Sequence, residues 1–183
     1  GLIDLVLKES DRLNEIITNF LAYSRPNYDS LFRENCNLLD VGETIEDCLL
    51  LLRHNPDISV NHQFDFEMPK TPVRIKANES QLKQIFWNLT KNSLKAMPDG
   101  GKFSVKLHEI SDKNVQIIFE DTGLGINPDY LEQLFEPFSS KANGTGLGLS
   151  IVHKIVNDHN GRIDVQSQLG KGTKITIELP QSV

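Results

Sequence analysis

Cysteine is scarce: only Cys36 and Cys48 occur among the 183 residues, too far apart for a C-x-x-C site. With no other ligand cluster beside them they make a poor zinc site and read as reduced thiols. No apolar run reaches the length of a bilayer-spanning helix and no secretory signal precedes the first helical stretch, so a cytoplasmic location is expected. The parent could still be anchored to a membrane elsewhere. Basic residues are outnumbered, 19 Lys and Arg against 25 Asp and Glu for a net charge of −6, and none form a phosphate-tracking face. That argues against nucleic-acid binding. Two familiar phosphate loops are missing too: no G-x-x-x-x-G-K-[ST] occurs, and neither glycine cluster makes a strand-led G-x-G-x-x-G followed by an acidic residue. Lys171, between Gly170 and Gly172, does not supply the first spacing. Repeats and low-complexity segments are absent, and so is an initiating Met; Gly1 opens directly into helical sequence, which suggests a fragment of a longer chain.

What is present centres on residues 121 to 149. Asp121 ends an alternating apolar run (Val115, Ile117, Phe119) that reads as a strand, and the turn Asp121-Thr122-Gly123-Leu124-Gly125-Ile126 follows it. A carboxylate where a strand spills into a glycine-bearing turn is placed to meet a ligand. Gly144, Gly146 and Gly148 then lead into a helical run of Leu149, Ile151, Val152, Ile155 and Val156. The unpaired N–H groups of a helix start can face an anion. A carboxylate for a polar ring edge and a backbone nest for phosphates together suggest a nucleotide.

Upstream, Leu2 to Tyr23 keeps an apolar three-four spacing (Leu2, Val6, Leu13, Ile16, Phe20, Tyr23), interrupted at Glu9, until Pro26 ends it. Such a stripe packs on a partner helix or on the chain's own core. Residues 27–35 are a polar connector and 36–183 form the main domain. There a short strand is expected at Cys36 to Val41, a helix from about Gly42 to Arg53, an alternating strand over Ile58, Val60, His62, Phe64 and Phe66, and another at Val73 and Ile75. His62 reads as a hydrogen-bonded rim histidine, having no ligand neighbours at metal spacing.

Asn78 caps the next helix, whose buried face carries Leu82, Ile85, Phe86, Leu89 and Ala96. Asn88, Asn92 and Lys95 follow a four-then-three spacing and share one row at the margin of that face. The row is either a plain polar margin or a ligand set: amide oxygens suit Mg²⁺, and an ammonium beside them meets phosphate as a point charge. Phe103 to Leu107 and Val115 to Phe119 read as a hairpin. A helix from Leu147 closes at Asn160-Gly161, and two last strands flank Gly170 to Thr173.

Assembled, these residues resemble the catalytic and ATP-binding domain of sensor histidine kinases of the nitrogen-regulation type, within the superfamily of gyrase, Hsp90 and MutL. Four blocks match in order: an N box (Gln84 to Asn92), a first glycine box (Asp121 to Ile126), an F box (Phe135 to Phe138) and a second glycine box (Gly144 to Leu149). The match covers roughly residues 36 to 180. The resemblance implies an α+β fold of Bergerat type, a two-layer sandwich with a mixed, mainly antiparallel sheet of about five strands under about three helices. It implies that Asp121 accepts the adenine amino group with Thr173 nearby, that Gly123, Gly125 and Ile126 line the base, and that Asn92, with Asn88, holds Mg²⁺. Lys95 would reach the phosphates of ATP, and the Gly144, Thr145, Gly146, Leu147, Gly148 and Leu149 segment would offer them backbone N–H groups. Phe135 and Phe138 would pack the hinge of the ATP lid. That lid is short, and Lys141 is either a γ-phosphate contact or a surface lysine.

Residues 1–26 resemble the second helix of the dimerisation and phosphoacceptor hairpin. None of the five histidines (His54, His62, His108, His153, His159) stands in the H-E-[IV]-[KR]-[NH]-P-L setting of a phosphoacceptor helix, so the target histidine would lie before Gly1. The resemblance thus implies a protein-histidine kinase that phosphorylates a hairpin missing here, passes the phosphate to a response-regulator receiver domain, and works in a homodimeric parent. The alternatives are an ATP-hydrolysing member, which would carry a glutamate where Asn88 stands, and a non-catalytic nucleotide-binding scaffold.

Overall fold

Period-two alternation and three-four spacing build the layers directly. The structure, a computed structural model, describes residue 10 and residues 36–55, 58–111, 113–137 and 146–181. Apart from residue 10, the helix expected at Leu2 to Tyr23, the division into 1–26 and 27–35, and the expectations for Phe138, Lys141, Gly144 and Thr145 lie outside the described residues. Within them the strands are β1 (Asn37–Asp40), β2 (His62–Glu67), β3 (Arg74–Ala77), β4 (Gly101–Ser111), β5 (Asn114–Asp121), β6 (Arg162–Gln168) and β7 (Gly172–Pro180). The helices are α1 (Val41–Leu52), α2 (Glu79–Ala96), the one-turn α3 (Pro128–Leu131) and α4 (Gly148–Asp158). The main sheet has five strands in the order β2-β4-β5-β7-β6, antiparallel except for the parallel β2–β4 pair, and β1 with β3 forms a separate antiparallel ribbon.

Residues two apart share a face of a strand. Phe103, Val105, Leu107, Val115, Ile117, Phe119, Ile175, Ile177 and Leu179 are accordingly all buried. The opposite face is polar, with Lys102 paired to Asp65 and Lys106 to Glu67 across β2 and β4. α1, α2 and α4 cover the apolar face with Ile45, Cys48 and Leu52, with Ile85, Phe86 and Leu89, and with Ile151, Val152, Ile155 and Val156. Phe86 meets Phe119 edge-on at 6.1 Å, tying α2 to the centre of the sheet. Each such side chain contributes about 1.5–3 kcal/mol by leaving water. Burial also pushes the Cys48 thiol up to about 11, so it packs as a small apolar group.

The strand expected from Ile58 starts only at His62. Ile58 and Val60 belong to a turn, closed by Ile58 N–H to Asn55 O at 3.2 Å and His62 N–H to Ser59 O at 3.1 Å, and Val60 is 99% exposed. Apolar alternation ran through that turn because it carries no signal of local hydrogen bonding. His62 is satisfied as its lone setting implied: Nδ1 accepts the Ser59 N–H and Nε2 donates to Met97 O, each at 3.0 Å.

α4 ends as its sequence indicates, with Gly161 N–H donating to Val156 O at 2.8 Å and Asn160 N–H to Asn157 O at 2.9 Å, while Asn160 takes φ 56°. The cap residue His159 is 7% exposed. Its Nδ1 donates to Ile155 O at 2.8 Å and its Nε2 accepts the Asn78 N–H at 3.2 Å, joining the end of α4 to the start of α2. Burial lowers its pKa from the usual 6.5, against the opposing pull of the Ile155 carbonyl and Asp158. A neutral ring is therefore the folded form, and below about pH 6.5 the unfolded chain binds more protons. The stability that His159 contributes is complete above that pH and is lost as pH falls towards its folded value. Chemical denaturation of His159→Gln and the parent between about pH 7.5 and pH 5 will show a smaller acid loss in the variant. Equal losses would remove His159 as the source.

Candidate functional site

Antiparallel register brings together residues far apart in the chain. β5 pairs with β7 so that Asp121 faces Thr173 where the ladder ends. Asp121 is only 7% exposed. Its Oδ1 accepts the Gly123 N–H at 2.9 Å and the Thr173 N–H at 3.3 Å, and its Oδ2 accepts the Ser93 hydroxyl at 2.9 Å. One carboxylate thus joins the turn after β5, the start of β7 and the buried face of α2.

The glycine turn is held from two sides. Leu124 N–H donates to Ala96 O at 2.9 Å, and a Cβ on Gly123 would stand 2.7 Å from both Cβ and O of Ala96. On the other side, Ile126 N–H donates to Ser167 Oγ at 2.8 Å and Gly170 N–H to Leu124 O at 2.8 Å. Ser167 Oγ also lies 2.9 Å from Thr173 Oγ1. At Gly125 (φ +70°) a Cβ would run into the carbonyl of Gln168, and at Gly172 (φ +110°) into the carbonyl of Asp121 itself. Positive φ and lack of room together require glycine at both positions.

Along α2, Asn88 and Asn92 are half-buried and Lys95 is exposed, as one row at the margin of a helix demands. A Cβ on Gly148 would sit 3.5 Å from Asn88 Oδ1, so this amide borders the start of α4. Asn88 Nδ2 is buried and has no hydrogen-bond partner among the described residues. Such a polar orphan costs free energy unless something fills the gap.

α4 begins differently from the other described helices. Side chains of Asp40, Asn78 and Asn127 cap α1, α2 and α3, whereas the N-cap position of α4 is Leu147, whose own side chain makes no cap hydrogen bond, and Ser150 Oγ donates to Leu147 O. Leu147 is buried in the core and Leu149 packs against it, so these two anchor the segment with their side chains and present only backbone to the rim. Gly146 precedes them at φ +66°. Uncapped first-turn N–H groups carry partial positive charge suited to an anion.

Ser93 on α2 borders Asp121, and Asn88, five positions earlier, borders Gly148, a separation of about 7.5 Å along the helix axis. The carboxylate thus meets α2 on its buried face at Ser93, and the start of α4 borders the amide row at Asn88 on the margin of the same helix. Among the described residues no group of three or more His, Cys, Asp or Glu could hold a metal ion. The donors on offer are amide oxygens, hard ligands that fit a cation carried in with phosphates rather than one caged by the protein. Phe135 has its ring stacked on His153 at 4.8 Å.

Sequence reasoning missed Ser93 and Ser167. Both left a signal: Ser93 continues the spacing of the apolar face from Leu89 to Ala96, and Ser167 continues the inward alternation of Ile163 and Val165. A hydroxyl on an otherwise apolar face needs a partner, and both have found one in this site.

Residues 77–183 match the family described as histidine kinase-, DNA gyrase B-, and HSP90-like ATPase. The chain is 36% identical over 179 residues to sporulation kinase E of Bacillus subtilis (strain 168), which covers 97% of the chain and 23% of that protein. It is 36% identical over 183 residues to sensor histidine kinase ZraS of Escherichia coli (strain K12), covering 100% of the chain and 38% of that protein. It thus spans well under half the length of these relatives. A solved structure of histidine kinase ThkA in complex with response regulator protein TrrA is similar with a TM-score of 0.78 at 25% identity, covering 99% of the chain and 51% of that one.

Proposed function

Since the chain belongs to the histidine kinase-, DNA gyrase B-, and HSP90-like ATPase family, we propose that it is the ATP-binding catalytic unit of a sensor histidine kinase, transferring the γ-phosphate of ATP to a histidine on a phosphoacceptor hairpin. The observation that carries this is that one helix, α2, borders both parts of the site: Ser93 on its buried face reaches the Asp121 carboxylate and Asn88 on its margin borders the start of α4.

In this reading Asp121 accepts the adenine amino group beside Thr173, with Gly123, Gly125 and Ile126 shaping the base pocket. The first-turn amides from Gly146 to Leu149 hold phosphate oxygens, and Lys95 adds a mobile positive charge. Asn88 and Asn92 would hold Mg²⁺ through their amide oxygens. When bound, the ion neutralises charge on the phosphate oxygens.

Phosphoryl transfer passes through a loose transition state, so alignment and charge stabilisation are most of what the protein supplies. An unprotonated imidazole nitrogen bonds to the γ-phosphorus while the bond to the β,γ-bridging oxygen breaks, giving phosphohistidine and ADP. The attacking nitrogen carries no proton, so this chain needs no general base. None of the five histidines stands in a phosphoacceptor setting, and three are engaged within the fold: His62 and His159 in hydrogen bonds at both ring nitrogens, His153 against Phe135. The acceptor would therefore come from a separate helix of the parent kinase, a homodimer, and a receiver-domain aspartate would take the phosphate next. The assembly of the similar kinase ThkA with a response regulator supports that partner class.

Incubation of the chain with Mg-ATP and a separate phosphoacceptor hairpin tests the proposal. Acid-labile, base-stable phosphate on the hairpin histidine is the expected product. Release of inorganic phosphate without a labelled hairpin would mark a hydrolase instead, and nucleotide binding with neither product would mark a scaffold.

A further inference from the structure

A carboxylate turns easily about its last side-chain torsion, which is broad and two-fold, so the direction it presents to a ligand is set by whatever ties each oxygen. At Asp121 the ties are unequal. Oδ1 accepts two backbone N–H groups, from Gly123 at 2.9 Å and Thr173 at 3.3 Å, whereas among the described residues Oδ2 has a single donor, the Ser93 hydroxyl at 2.9 Å. An ionised carboxylate offers about four acceptor sites. Three are taken by the protein, which leaves about one for a ligand, on Oδ2 and beside Ser93. Ser93 is itself only 6% exposed and belongs to the helix that carries Asn88 and Asn92, one position after Asn92. It therefore links the direction of the carboxylate to the register of the amide row.

We propose that Ser93 is a positioning residue of the nucleotide site: by donating to Asp121 Oδ2 it holds the carboxylate plane at the angle at which the base meets it. The assignment rests on the nucleotide reading of the site given above. It makes Ser93 act at the base end alone, through Asp121 and not on the phosphates. With the hydroxyl removed, the two backbone donors still fix Oδ1 but Oδ2 can swing about that anchor, so binding weakens without being lost.

The test is calorimetric titration of the full chain with ATP and with ADP, alongside steady-state phosphorylation of a separate phosphoacceptor hairpin. Ser93→Ala will weaken ATP and ADP by the same factor, about 3- to 10-fold, the scale of one oriented hydrogen bond. KM for ATP will rise by that factor with kcat unchanged. Ser93→Cys, which fills the same space with a much weaker donor, will bind no better than the alanine variant. In an Asp121→Asn background, Ser93→Ala will cause no further loss. Unchanged affinity in Ser93→Ala, full affinity in Ser93→Cys, a loss confined to ATP, or a loss that adds to that of Asp121→Asn would each overturn the assignment. Failure of the parent chain to bind either nucleotide would overturn the nucleotide reading itself, a result distinct from binding that is indifferent to Ser93.

Discussion

Asp121→Asn lowers the affinity for ATP by about 1.5 to 3 kcal/mol, on the order of 10- to 150-fold, in calorimetric titration. The hydrogen bonds around the carboxylate decide how the substituted amide would sit. Two backbone N–H groups point at Oδ1, from Gly123 and Thr173, and neither can rotate away. The amide oxygen must take that place, which leaves the NH₂ group where Oδ2 was. The Ser93 hydroxyl, now at 2.9 Å from that atom, can turn and accept instead of donate, so the interior stays satisfied. An adenine amino group cannot do the same, because it would meet a donor with a donor. The loss should be equal for ATP and ADP, since the phosphates are far from this change. Unaltered affinity would take Asp121 out of the site.

Asn92→Ala leaves the fold intact and cuts Mg²⁺-dependent phosphorylation of a separate hairpin by about 100-fold or more, the scale on which single electrostatic groups act at a developing charge. Stability is spared because Asn92 is half-buried at the edge of α2, caps nothing, and alanine is the better helix former. Binding of ADP without Mg²⁺ should change little, which separates a role at the cation from a role in the pocket wall. Full activity in this variant would defeat the assignment of Asn92 to the ion.

Most elements were legible because local patterns suffice for them. The alternation of Val115, Ile117 and Phe119 gave β5 and its buried face, and Asn78 before an apolar three-four run gave the start of α2 to the residue. The stretch from Ile58 misled for the same reason: alternation marks apolar positions, and it ran on through a turn whose identity lies in the Asn55 and Ser59 carbonyls. The split into a five-stranded sheet and a two-stranded ribbon was not legible either, since β1 and β3 look like any short strands until their partners are known.

Asp121, Asn88, Asn92 and the glycines stood out as candidates because carboxylate, amide and glycine are unusual choices at a strand end, a helix margin and a helix start. Ser93 and Ser167 did not, because serine is ordinary almost anywhere. Their importance comes from what the register puts opposite them.

The order of elements, the apolar faces and the family motifs were determined by the sequence alone, since each depends on spacings within a turn or two of chain. Tertiary structure decided which groups meet: Ser93 with Asp121 across 28 positions, Thr173 with Asp121 across 52, and Asn88 with the start of α4. Contacts of that range depend on strand register and helix packing, which follow from the burial of whole faces at once and leave no mark on the spacing of the two residues that touch.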